Sequence, residues 1–218
     1  SQEEVASGQD FDRRGAGFNL AGHFDRVLDI THCYLQAEPS NDIRLFIRNF
    51  GIQHDLPFFN NRQQEGFLRN VMIRTASTGQ VMVLVQFFED RPVIAQLMDG
   101  LRQRFPQITS LYYVVNQKGN DTIFDQELLL AHGQPWITEK MEGLQFRIGP
   151  KSFFQTNTAQ ALALYRAARE FAGLTGNEVA YDLYTGTGTI ALFMARFCKE
   201  VIGLEYVPEA IEDAKSNA

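Results

Sequence analysis

Apolar positions change their spacing repeatedly along this chain, and each change marks a different kind of element. Residues 1–20 are polar and Gly-containing and read as an extended lead-in. In PSNDIRLFIRNFG, Ile43, Phe46, Ile47 and Phe50 recur at i, i+3, i+4, i+7, which predicts a helix with one buried face. Ser40 or Asn41 is placed to cap its start and Gly51 to end it. In GQVMVLVQFF the spacing drops to two: Val81, Val83, Val85 and Phe87 alternate as in a half-buried strand. With FLRNVMIRT before it and STG as the turn, 67–88 reads as a hairpin. Pro92 opens a second helix whose inner face carries Val93, Ile94, Leu97, Met98, Leu101 and Phe105. Further strands are expected at ITSLYYVV, near TIFDQELLL, and in a hairpin turning at Glu142-Gly143 and ending in LQFRI.

Beyond residue 150 the pattern becomes strand, helix, strand, helix. In NTAQALALYRAAREFAG, Ala161, Leu164, Tyr165, Ala168, Phe171 and Ala172 fall on one helical face, and Gly173 supplies a stop. EVAYDLY, a GTGT loop, IALFMARFC, EVIGLEY and PEAIEDAKSNA then follow, the pitch of the opening of a doubly wound parallel sheet. The expected fold class is α/β: an α+β central domain (21–148) with a mostly antiparallel sheet, then half of a Rossmann-like domain (149–218), with 1–20 as lead-in. Two strands do not make a stable parallel sheet, so the chain reads as a piece of a longer protein.

With 218 residues, 44% apolar and 21% charged, the chain can bury a core and is not of a disordered composition. No apolar run reaches the roughly 18–20 residues that span a bilayer, and the start has no signal-peptide pattern, so a cytoplasmic protein is expected. The two cysteines, Cys33 and Cys198, have no metal-ligand spacing and read as small core residues. With a net charge of −6 the bulk charge does not announce a nucleic-acid binder, and any charge that draws in a nucleic acid is local or supplied elsewhere.

The chemistry concentrates in Asp182-Leu183-Tyr184-Thr185-Gly186-Thr187-Gly188-Thr189. Gly186 and Gly188 allow a sharp turn after a strand and close approach of a ligand. Glu205, at the end of the next strand, is placed to accept hydrogen bonds from ribose hydroxyls. Two cofactors fit. Gly186-x-Gly188-x-x-Ala191 formally matches a dinucleotide fingerprint, which would make an NAD-dependent oxidoreductase. Asp182, however, would repel a pyrophosphate and suits the cationic amino-acid end of S-adenosylmethionine (SAM), so SAM is preferred. Asp182 merely capping a turn is the alternative without a ligand.

Lys151-Ser152-Phe153-Phe154-Gln155-Thr156-Asn157 precedes the helix leading into this loop. Together SFFQTNTAQALALY, VAYDLYTGTGTIALFMA and VIGLEYVPEAIEDAKSNA resemble the cofactor domain of the RNA (uracil-5-)-methyltransferases. GHFDRVLDITHCYLQ and GFLRNVMIRTASTGQVMVLVQ are similar to that family's central domain. The resemblance implies a SAM-dependent enzyme making 5-methyluridine, most like the 23S ribosomal RNA branch, with a transfer-RNA enzyme as the alternative. It implies that Gln155 bonds the methionine part, that Tyr184 and Thr189 contact SAM from the loop, and that Glu205 holds the ribose. Thr185 stands where many members have Cys, and Thr189 where some have Asn. The family's nucleophilic cysteine and its base lie beyond Ala218, so no catalytic residue is expected in this chain, and the chain alone is expected to lack turnover. A 4Fe-4S cluster belongs to the upstream region of many ribosomal members, and two cysteines could not hold one here.

RNA is the implied partner. Phe153 and Phe154 are candidates to stack on a base, and Arg62, Arg69 and Arg74 to touch phosphate, each against a plainer reading as core packing or surface arginines. A non-catalytic RNA-binding module is the remaining rival, but its expected basic face is missing from the composition.

Overall fold

The computed structural model describes residues 14–218. At its centre a four-stranded sheet runs in the order β3 (Leu68–Thr75), β4 (Val81–Phe87), β5 (Ile108–Val115), β6 (Leu129–Gly133). β3–β4 and β5–β6 are antiparallel, whereas β4 and β5 are parallel because α2 (Val93–Arg104) carries the chain back across the sheet. The sheet is thus mostly antiparallel with one parallel step at its middle.

That middle strand is where the expectation needs correcting. Val81, Val83, Val85 and Phe87 pack against α2 and against α1 (Ser40–Gln53), as the alternation implied. Yet Met82 and Leu84 are buried too, against Ile137 and Ile148. The antiparallel hairpin of β7 (Ile137–Met141) and β8 (Leu144–Ile148), turning at Glu142-Gly143, closes over the second face. β4 is therefore buried on both sides, as a strand with a parallel neighbour usually is. Gln86, also buried, meets this by donating to the Asp121 carbonyl and accepting from Asn116 Nδ2.

Three further corrections have physical causes. α1 is not capped by Ser40 or Asn41: its N-cap is Pro39, without a side-chain bond. The Asn41 amide is committed to both backbone groups of Cys33, to the Glu38 carboxylate and to Arg44. Gly51 does not end α1 but lies inside it, and its lack of a side chain serves packing: a Cβ there would come within 2.5 Å of Leu68 Cδ1 and 2.9 Å of Phe58 Cε2. The last part of the lead-in is not loose: β1 (Gly17–Asn19) pairs with β2 (Val27–Asp29), and Arg44 donates to the carbonyls of Ala16 and Ile30 beside it. Residues 1–13 of the lead-in lie outside the described residues. The strand expected near TIFDQELLL begins only at Leu129.

The C-terminal part places α3 (Thr158–Ala172), β9 (Val179–Leu183), α4 (Thr189–Ala195), β10 (Glu200–Leu204) and α5 (Pro208–Asn217) in the expected order. β9 and β10 are parallel, with Asp182 opposite Gly203. Asn157 caps α3 by accepting from Gln160 N, and Gly173 ends it in the left-handed conformation. Of the expected α3 face only Ala161 and Tyr165 are buried, together with Phe193, Met141 and Phe146. Leu164, Ala168, Phe171 and Ala172 are exposed, Phe171 at 90%, because a sheet of two strands cannot reach the far end of the helix.

Glu142 ties the β7–β8 turn to α3. It accepts from Arg169 and Arg166, each at 2.7 Å, and Arg169 in turn lies over the rings of Phe193 and Phe197. Arg169 first, and Arg166 with it, hold the Glu142 carboxyl at about 2, down from 4.5. Because the folded value lies below the unfolded one, this stabilisation is complete above about pH 4.5 and is lost as pH falls toward 2. Glu142→Gln is expected to flatten the acid limb of a melting-temperature-against-pH curve. Parallel curves for the two proteins would show that the cluster contributes nothing.

Candidate functional site

The loop between β9 and α4 is drawn onto the end of β10. Thr185 N donates to the Leu204 carbonyl at 3.0 Å, and Gly186 N donates to Glu205 Oε2 at 2.9 Å. Tyr184, Gly186 and Gly188 all take positive φ (63°, 57° and 77°), so the turn is of the kind that needs glycine at most of its corners. Gly203 is what allows the close approach: a Cβ there would meet Thr185 Cγ2 at 2.9 Å and Oγ1 at 3.1 Å. The space a Cβ would take at Gly186 is open.

Glu205 lies at the lip of this turn. Its Oε1 accepts from the backbone N–H groups of Tyr206 (2.7 Å) and Val207 (2.9 Å), while Oε2 takes that of Gly186. The donors at Val207 and Gly186 above all keep its carboxyl below the usual range. An ionised carboxylate has about four acceptor positions, so one remains for an outside donor.

Asp182 is turned into the loop. Its Oδ2 accepts from Thr185 Oγ1 at 2.6 Å and from Ala191 N at 3.0 Å in the first turn of α4. Its Oδ1 has no hydrogen-bond partner among the described residues. A carboxylate already sits on the helix end where a dinucleotide's pyrophosphate would have to bind, which disfavours the oxidoreductase reading. Nearby, burial and then the Asp182 charge push the Tyr165 hydroxyl upward. Thr189 is buried, its hydroxyl 3.1 Å from that of Thr187, so it faces the inside of the loop. Tyr184 is 88% exposed.

Gln155 is exposed on the segment between β8 and α3. Two anchors place that segment. Phe154 packs on Phe146 (6.0 Å between ring centres) and joins the two apolar clusters that share the buried face of the β7–β8 hairpin. Arg74 donates to the carbonyls of Gly149 (3.1 Å) and Ser152 (2.6 Å). Phe153, by contrast, is 74% exposed.

The other candidate RNA contacts have these surroundings. Arg74 is half-buried, with its Nη1 committed to the Gly149 and Ser152 carbonyls. Arg69 donates to the carbonyls of Asn116 and Lys118 and lies over the Phe59 ring at 4.4 Å. Arg62 is paired with Asp25 at 2.7 Å. Phe154 is a packing residue. Cys33 is buried and Cys198 half-buried.

Several residues that hold the site gave no periodic or motif signal. Asn217 donates to the Thr187 carbonyl and bonds both backbone groups of Arg147, joining loop, α5 and β8. Ser152 hydrogen-bonds Asp213 on α5. Glu139, buried in β7, accepts from Ser77 and from Thr158 Oγ1 at the start of α3. Only Gly203, an unexplained glycine in an apolar strand, could have been flagged from the sequence as a site of close backbone approach.

No family model matches the chain. It is 59% identical over 209 residues to an uncharacterized RNA methyltransferase of Porphyromonas gingivalis, covering 94% of this chain and 45% of that protein. A Bacteroides thetaiotaomicron protein of the same description is 52% identical, over all of this chain and 49% of its own length. The chain thus spans about half the length of the curated relatives it matches. Among solved structures it is similar to the Pyrococcus abyssi tRNA (uracil-54, C5)-methyltransferase in complex with S-adenosyl-L-homocysteine. The TM-score is 0.74 and the identity 29%, over 93% of this chain and 49% of that one. The motifs, the fold and these relatives agree in likening this chain to RNA methyltransferases, over about half of their length.

Proposed function

We propose that this chain carries the cofactor-binding loop and central domain of a SAM-dependent enzyme that methylates C5 of a uridine in 23S ribosomal RNA. The observation that carries the reading is the junction of Gly186 and Glu205, where an ionised carboxylate and an open glycine turn meet at the ends of two parallel strands. Such a junction suits a nucleoside whose ribose hydroxyls donate to the carboxylate. SAM would supply an electrophilic methyl group on a sulfonium.

In this reading Glu205 accepts from the ribose, and the Tyr184–Gly188 turn lets the ligand approach the backbone. Gln155 orients the methionine part, Asp182 both braces the loop and faces the cationic end with Oδ1, and Thr189 shapes the floor. Phe153 offers an exposed ring to an unstacked base. The division into 21–148 and 149–218 is supported by the change from the central sheet to the parallel β9–β10 pair. The nucleophile and the base are assigned to the protein beyond Ala218. A transfer-RNA substrate is the second reading, favoured by the name of the Pyrococcus abyssi structure.

Glu205→Gln is expected to weaken S-adenosylhomocysteine binding to this chain roughly tenfold, about 1.4 kcal/mol, measured by calorimetry. For the substrate, the intact protein is incubated with SAM and either 23S ribosomal RNA or transfer RNA, followed by nucleoside mass spectrometry. 5-Methyluridine in the ribosomal RNA is expected; its formation only in transfer RNA selects the second reading, and its absence from both removes the uracil-C5 assignment.

A further inference from the structure

A cleft of about 520 Å³ opens where β5, the approach to β7, β8 and α5 meet. Tyr112, Trp136, Arg147, Lys151, Ser152 and Asp213 line it, and none of the Gly-loop residues nor Glu205 does. Its volume is within the roughly 300–1,000 Å³ usual for small-ligand sites. The Arg147 guanidinium lies 4.7 Å from the Trp136 ring centre. No salt bridge links Arg147 to a carboxylate among the described residues, although Asp213 and Glu127 border the same cleft. Asp213 is instead held by the Ser152 hydroxyl, and that hydroxyl also accepts from Gly149 N at 3.0 Å. Lys151 uses one N–H on the Phe124 carbonyl, at 3.0 Å, and has two others.

A planar cation stacked on an indole with its donors unclaimed, a second ammonium nearby, and an aromatic wall form the arrangement that takes a phosphodiester and its base together. Position adds to this. Ser152 immediately precedes Phe153, the exposed ring beside Gln155, so the cleft and the proposed base contact lie on one short segment. Asn217 links the same region to the Gly loop through the Arg147 backbone and the Thr187 carbonyl.

We propose that this Trp136–Arg147–Lys151 cleft binds one nucleotide of the single-stranded RNA flanking the target uridine, with Arg147 on its phosphate and Trp136 against its base. The proposal rests on the RNA-methyltransferase reading and adds a second contact point to it. An oligonucleotide strand is favoured over an acidic peptide because Arg147 lies over a flat indole that can also take a base, which an acidic peptide would leave unused.

The test measures a fluorescein-labelled, uridine-containing RNA heptamer binding to this chain by anisotropy over a salt series, with S-adenosylhomocysteine affinity measured in parallel. Arg147→Gln is expected to lower RNA affinity about tenfold at low salt and to reduce the log–log salt slope by about 0.7, the value of one single-strand phosphate contact. Trp136→Leu is expected to lower affinity about fivefold or more, in line with the 1–3 kcal/mol of a lost stack, with the salt slope unchanged. Cofactor affinity should stay the same in both. The Arg147 side chain makes no bond that holds the fold, so its variant remains informative if Trp136→Leu is unstable. RNA affinity and slope unchanged in Arg147→Gln, while wild type binds RNA, overturns the cleft and leaves the proposed function intact. Wild type binding cofactor but no RNA also overturns it, and uridine monophosphate binding as tightly as the heptamer reassigns the cleft to a free mononucleotide. Failure to bind both RNA and cofactor removes the functional reading as well.

Discussion

Truncating Phe87 to alanine is expected to cost about 3–5 kcal/mol of unfolding free energy, as removal of a fully buried aromatic does. Phe87 ends β4, one of the two strands with neighbours on both edges, and its side chain has no solvent exposure. Its ring centre lies 4.9 Å from that of Phe67 and 6.4 Å from that of Tyr113, so truncation removes partners on two sides. The backbone around it has no room to settle into the gap. The Phe87 carbonyl accepts from Asn116 N at 2.8 Å, and Phe88 N donates to the Phe67 carbonyl at 2.9 Å. The expected loss is a large part of the roughly 5–15 kcal/mol that keeps a typical domain folded. Leu35, 97% exposed, is the control: Leu35→Ala should stay within about 0.5 kcal/mol of wild type. Urea unfolding of both variants checks this, and a loss below about 1 kcal/mol for Phe87→Ala would mean the centre of the sheet is not the core described here.

Gly203→Val is expected to weaken S-adenosylhomocysteine binding by about 100-fold, or about 2.7 kcal/mol, while leaving the central sheet folded. A single Cβ at this position already meets Thr185 Cγ2 at 2.9 Å, and valine adds two methyl groups. Thr185 cannot swing aside freely. Its hydroxyl is bonded to Asp182, and its N–H to the Leu204 carbonyl of the strand that would carry the valine. The loop must therefore lift off β10, and the Gly186–Glu205 bond at 2.9 Å goes with it. Calorimetry gives the affinity, and far-UV circular dichroism with the urea midpoint shows whether the rest of the chain is intact. Unchanged affinity in a folded Gly203→Val protein would show that the ligand does not use this junction. Gly203→Ala, with one methyl group, should fall between the two.

The helices and the longer strands were legible because each carries its own period. α1, α2 and α3 show apolar spacing of three and four, β4 shows alternation, and β3 is marked by its β-branched, apolar run with a Gly79 turn between the two. The Gly loop was legible for another reason: sharp backbone turns leave glycine in the sequence. β1 and β2, of three residues each, are too short to carry a period, and they pair beside a buried arginine. The exposed half of α3 shows the opposite failure. Leu164 and Phe171 have the right spacing for burial, but β9 and β10 alone give them nothing to pack against.

The sequence by itself determined the order of elements, the glycine turn after β9, the acid after β10 and the likeness to one enzyme family, since these are written in neighbouring residues. Only the tertiary structure decided what the charged side chains do. Arg74 looks the same as any strand arginine until Gly149 and Ser152, 75 and 78 residues later, are seen to accept from it. Asp182 likewise becomes a brace of its own loop through Ala191. Arg147, on the exposed side of β8, lies over the Trp136 ring and forms no ion pair among the described residues. A hydrogen bond is set by distance in space, and the partners of these groups lie on other elements that no local pattern connects.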